Sequence, residues 1–210
     1  MLRTALACAV LALGAWFGAD GLTHGFQVWT AEGARRLEVL QQPIAAPAVR
    51  IEGPEVAERD LRQLLAGNGH VTLVDFVYTH CESLCLALGN SFQQMQAALR
   101  AEPDDAGVRL LSISFDPGRD TVQRLRWYAT TAMKADPALW RFVRVTDASD
   151  MQRVLDLFQV VVVPDGRGDF QHNGALLVVD AQGRLVRIFD LAEQQLALDY
   201  ARHLAAQGQL

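Results

Sequence analysis

The chain has 210 residues, half of them hydrophobic and a fifth charged, which is enough apolar material for one full core plus an appendage. That balance excludes intrinsic disorder and low-complexity fibres as the dominant state. The formal net charge is −5, with one lysine (Lys134) and scattered arginines, so the chain is no nucleic-acid binder held by a run of phosphate contacts.

The amino terminus places a single cation, Arg3, before residues 4–19, which carry no charge. One cation followed by an apolar stretch reads as a secretion signal or a membrane anchor. Sixteen residues fall short of the about 20 that cross a bilayer core as a helix. Yet Leu13-Gly14-Ala15 and Phe17-Gly18-Ala19 are both poor cleavage sites, and Cys8 comes too early for lipid attachment. An uncleaved anchor over residues 1–19 is therefore favoured over a cleaved signal or a buried core helix. The remainder then sits in an oxidising compartment.

Residues 20–53, with Pro43 and Pro47, show no strong helical period and read as a membrane-proximal spacer feeding short extended segments. From there on the spacing predicts a helix over 55–66, a buried strand over 71–77, a helix over 83–100 and a second buried strand over 108–115. A helix over 121–132, begun by Asp120 or Thr121, precedes a strand over 141–146 and a helix over 148–158. An apolar stretch over 159–163 stops at Pro164, followed by a turn over 165–169. Strands over 175–179 and 184–189 form a hairpin, and a helix over 192–206 closes the chain. Strands alternating with helices, then a hairpin, describe one α/β domain over 54–210: a central mixed sheet flanked by helices.

Three cysteines are too few for a disulfide framework, but two of them mark a site. Cys81-Glu82-Ser83-Leu84-Cys85 lies where a buried strand hands over to a helix. A helix N-terminus favours thiolate over thiol and can bring a cysteine pKa down to between roughly 3.5 and 7.5. Residues i and i+4 on a helix hold their Cβ atoms about 5–6 Å apart. A relaxed disulfide wants about 3.5–4.5 Å. Two thiolates sharing one metal can stand up to roughly 4.6 Å apart at the sulfurs. The spacing suits a shared metal, and it still permits a disulfide if Cys81 precedes the helix proper. The alternative is a pair of buried structural cysteines.

Two thiolates leave a coordination sphere open. Of the five histidines, His24 and His203 read as solvated, His70 as part of a turn, and His80 as pointing away from its neighbour Cys81. His172, on the loop entering the strand over 175–179, could meet the helix terminus at the edge of the sheet, although a lone loop histidine is more often a surface residue. Two soft thiolates with one imidazole select Cu(I) before zinc. Other chemistry fits poorly. Gly166-Arg167-Gly168 lacks the helix of a phosphate loop, and no serine occupies a nucleophile elbow. The Asp116-to-Thr121 stretch reads as a turn and a helix cap.

Three blocks carry a family likeness: Phe76-Val77-Tyr78-Thr79-His80-Cys81 through Cys85, then Ser112-Ile113-Ser114-Phe115-Asp116-Pro117-Gly118-Arg119-Asp120-Thr121, then His172-Asn173 with Asp180-Ala181-Gln182-Gly183-Arg184. Together they resemble the SCO/SenC family of membrane-tethered copper-binding proteins. The resemblance implies a thioredoxin-like fold and a copper site, Cu(I) or Cu(II), formed by Cys81, Cys85 and His172. It implies a role in delivering copper to, or keeping reduced the cysteines of, the dinuclear copper centre in subunit II of cytochrome c oxidase. Another copper enzyme as client, a copper donor protein as a second partner and a place on the periplasmic face of the bacterial inner membrane belong to the same expectation. Where the family commonly has prolines beside both cysteines, Glu82 and Leu86 stand here, and a carboxylate beside Cys81 tends to raise its pKa. The competing reading is a metal-independent thiol–disulfide oxidoreductase of the periplasm using the redox dithiol Cys81 and Cys85.

Overall fold

The computed structural model describes residues 2–23, 25–80, 84–102, 107–166 and 169–208, with the backbone alone for residues 84–86. The first element, α1 (Leu2–Leu22), is longer than the uncharged run suggests, since its last turn carries on through Asp20 to Leu22. Its 21 residues span about 31 Å, enough to cross a membrane, and none of them is buried.

Among the described residues, seven strands form one sheet. Its centre is β3 (Val71–Val77), β4 (Val108–Ser114) and β5 (Trp140–Val145), mutually parallel. The hairpin of β8 (Ala175–Val179) and β9 (Arg184–Asp190) runs antiparallel alongside β3. Every residue of β3 is buried, as expected of a strand covered on both faces. One face packs Val71, Leu73, Leu110 and Trp140 against α4 (Leu84–Ala101) and α7 (Gln194–Gln207), through Leu88, Phe92, Met95 and Leu99 of α4. The other face packs Val74, Phe76 and Val143 against α6 (Ala148–Leu157), which Asp147 caps by accepting the Ser149 and Asp150 amides. Strand, helix and hairpin follow the periodicity closely because this double burial gives them their pattern.

The segment read as a spacer is built into the domain instead. It holds α2 (Ala31–Gln41) and two short strands, β1 (Ile44–Ala45) and β2 (Ile51–Glu52). β1 pairs with β9 and β2 with β5, so this one segment covers both edges of the sheet, whose strand order is β1-β9-β8-β3-β4-β5-β2. α2 escapes a search for periodicity because its only buried residue is Val39; it is held by its Thr30 cap and by charge. One helix is also shorter than expected, and another changes its winding. Residues 59–61 pair in an extended bridge with residues 49–51, with Ile51 N–H bonded to Arg59 O and Leu61 N–H to Val49 O, both at 3.0 Å, so α3 is confined to Leu61–Ala66. α5 (Val122–Trp127) widens into a π turn over Tyr128–Ala132, where Met133 packs across the bare backbone of Gly89.

A separate two-stranded sheet, β6 (Val162–Pro164) with β7 (Phe170–His172), projects between α6 and β8 in the chain.

Candidate metal centre

Strands β3 and β4 end side by side, and the site is built on the residues just beyond them. After β3 come Tyr78, Thr79 and His80. Tyr78 is buried, its ring 5.1 Å from Phe115 and 5.3 Å, edge-on, from Phe170 of β7. Phe115, just past β4, meets Phe170 at 5.5 Å and the His172 imidazole at 5.1 Å. Three aromatic rings thus pin the β6–β7 hairpin over the carboxyl ends of the parallel strands. That is where α/β sheets place their ligands. A cleft of about 410 Å³, lined by His70, Arg109 and Arg141, opens at the opposite ends of β3 and β4 and takes no part in this arrangement.

The backbone two residues before Cys81 is clamped. Thr79 donates its N–H to Asp120 Oδ2 at 3.1 Å and its hydroxyl to Oδ1 at 2.5 Å, while the Ser114 hydroxyl donates to Oδ2 at 2.6 Å. Arg124 closes the clamp, donating to Thr79 Oγ1 at 2.9 Å and Thr79 O at 3.1 Å. Asp120 is wholly buried and gives both carboxylate oxygens to this task, leaving the cap of α5 to Thr121, which accepts from Arg124 N–H. The turn over 116–121 is held from outside by Arg144, which donates to Pro117 O at 2.7 Å and pairs with Glu52 at 2.8 Å. Arg119 pairs with Asp116 and lies over the Phe170 ring at 5.2 Å.

His172 ends β7 half-buried. Burial pushes its imidazole pKa below the ordinary value, and a hydrogen bond with the Asn173 backbone acts weakly the other way. A ring held neutral at pH 7 is the form that binds metals. His80 is half-exposed, with Nδ1 at 3.9 Å from Asp120, and His203 bonds Gln207 on the exposed side of α7.

Of the three residues singled out as ligands, Cys81 lies outside the described residues. Cys85 sits in the first turn of α4 by its backbone, and its side chain is likewise outside the described part. Among the described residues no group of three His, Cys, Asp or Glu side chains is placed to hold a metal. A neutral imidazole is a donor that copper accepts, and His172 holds one at the strand ends, on the side where β3 ends and α4 starts at Leu84 with Cys85 in its first turn. Sequence reasoning missed Thr79, Asp120 and Arg124 as the clamp. The usable signal was the pairing of Asp120 with Thr121, since one helix start needs only one cap.

A family model described as SCO1/SenC matches residues 53–205. The SCO1 protein homolog of Bacillus subtilis is 28% identical over 128 residues, covering 60% of this chain and 64% of the relative. The chain therefore spans just under two thirds of that curated relative's length. Among solved structures, Bradyrhizobium japonicum ScoI with copper bound superposes with a TM-score of 0.61 at 23% identity, over 76% of this chain and 99% of ScoI. BsSco, described as a member of the Sco family of cytochrome c oxidase assembly proteins with a disulfide switch, gives 0.66 at 20% identity, over 79% and 95%. These structural likenesses concern the fold, which is thioredoxin-like. With the family model covering most of the domain, from the end of β2 into α7, the chain belongs to the SCO1/SenC family.

Proposed function

We propose that this protein is a membrane-anchored, extracytoplasmic copper-binding assembly factor. Cys81 and Cys85 supply two thiolates and His172 an imidazole, and the bound copper is cargo. Its client is subunit II of cytochrome c oxidase or another copper enzyme; the protein either delivers copper there or reduces the client's cysteines. Copper reaches it from a donor protein, on the periplasmic face of the inner membrane. The observation that carries this reading is His172, a neutral half-buried imidazole held by Phe115 above the ends of the two strands, on the edge from which the Cys-x3-Cys pair follows. Family membership, and the copper bound in the solved structure of Bradyrhizobium japonicum ScoI, support it. So does α1, an apolar helix with no buried residue.

The test is titration of the reduced chain with Cu(I). One equivalent is expected to bind, and His172→Ala is expected to weaken binding by about tenfold or more. Binding well below one equivalent, or an affinity unmoved by His172→Ala, overturns the three-ligand site. A second reading, a metal-independent periplasmic thiol–disulfide oxidoreductase, draws on Cys85 in the first turn of α4, where the helix dipole favours a thiolate. Disulfide reduction at low protein concentration, undiminished by a copper chelator and by His172→Ala, selects it.

A further inference from the structure

The hairpin that carries His172 is too short to hold itself. β6 and β7 pair at three positions, and one of them is Pro164, which donates no backbone hydrogen bond. Its turn end rests on Phe170; its open base, where Val162 meets His172, is fastened by Asn173, the residue after His172. Asn173 donates its N–H to Val161 O at 3.2 Å, accepts the Val161 N–H on Oδ1 at 2.7 Å, and donates Nδ2 to Gln159 O at 3.4 Å.

The Gln159 carbonyl has a second donor from far away in the chain. Arg35 of α2, 124 positions earlier, donates Nη1 to it at 2.8 Å. Arg35 is fixed in turn, its Nε and Nη2 donating to the two Glu32 oxygens at 2.9 and 2.8 Å, the bidentate fork that sets a guanidinium's direction. Gln159 adopts φ +55°, a left-handed conformation that side chains other than glycine rarely take, and this aims its carbonyl at both donors. Its side-chain amide also reaches Glu38 of α2 at 3.4 Å.

We propose that Arg35 is a positioning residue for His172: the helix next to the membrane anchor holds the Gln159 carbonyl and, through Asn173, the base of the hairpin, so that the imidazole stays over Phe115. The consequence for copper rests on the reading of His172 as a ligand; the brace itself does not.

The test uses the full chain in detergent. Arg35→Met keeps the apolar stem and removes the donors. It is expected to speed amide exchange at Val161 and Asn173 by about tenfold and to weaken Cu(I) binding by about tenfold, the usual effect of losing a partner that orients a ligand. Arg35→Lys, which can still donate one N–H to Gln159, is expected to recover part of both. Arg36→Met is the control, because Arg36 bonds Asp190 and Glu193 from the same helix and shares Glu32 with Arg35, without touching Gln159; it is expected to leave both readouts at the wild-type level. Unchanged exchange in Arg35→Met overturns the proposal, and so does an Arg36→Met that matches Arg35→Met, since that outcome reports general undocking of α2. If His172→Ala leaves copper binding intact, the ligand reading fails, and exchange at Val161 and Asn173 alone decides the brace.

Discussion

Asp75 is the residue at which the sheet's burial and its chemistry conflict. It sits in the middle of β3, wholly buried, in register with Ser112 of β4, whose hydroxyl accepts from Trp140 Nε1 at 2.9 Å. Burial pushes its carboxyl up to about 7, with Ser112 acting weakly against it. The unfolded chain loses this proton near pH 4, so between about pH 4 and 7 folding takes up a proton and stability falls as pH rises. Above pH 7 the full cost remains, on the order of 4 kcal/mol. Asp75→Asn keeps the shape without the charge. In urea titrations the wild type is expected to be less stable at pH 8 than at pH 5, and the variant to show little of that slope and to exceed the wild type at pH 8. The direction of the effect at His172 is the reverse. Its lowered pKa keeps the ring neutral as pH falls below the ordinary histidine value; under the proposed copper reading, proton competition at this ring then sets in only at more acidic pH.

The ends of β3 and β4 are joined by a single carboxylate, and the elements there stand or fall together. Asp120→Ala strips the acceptor from the Thr79 N–H, the Thr79 hydroxyl and the Ser114 hydroxyl, all buried. A loss of about 3 kcal/mol is expected in the urea midpoint, with faster amide exchange at Thr79. This clamp also marks the limit of what periodicity can carry. The elements buried on one or both faces, β3, β4, α4, α6 and the β8–β9 hairpin, were legible because burial imposes period 2 or 3.6 on the residues themselves. The residues that meet only through the fold were not: Thr79 and Asp120 are 41 positions apart, and Phe115 meets the His172 ring across the hairpin. Position before the strand over 175–179 made His172 only a weak candidate, which the family resemblance raised; the structure puts it at the end of β7 rather than on a loop, and the packing of Tyr78, Phe115 and Phe170 explains why that hairpin lies where it does.

The molecule closes its sheet with its own amino-terminal segment. A chain beginning at residue 54, the domain boundary that composition suggests, lacks α2, β1 and β2 and bares the edges of β9 and β5. It also loses Val39, Val49 and Ile51, each at most 2% exposed. Such a chain is expected to lose about 4 kcal/mol or more and to self-associate on size exclusion, whereas one beginning at residue 27 keeps its midpoint and stays monomeric. Only residues 23–30 then separate α1 from α2, a leash of at most about 28 Å when fully stretched. With α1 set in a bilayer, as proposed, the globule cannot wander through the surrounding fluid. On that reading it patrols a thin layer against the lipid surface, and any partner that docks with it has to present its own face within that layer.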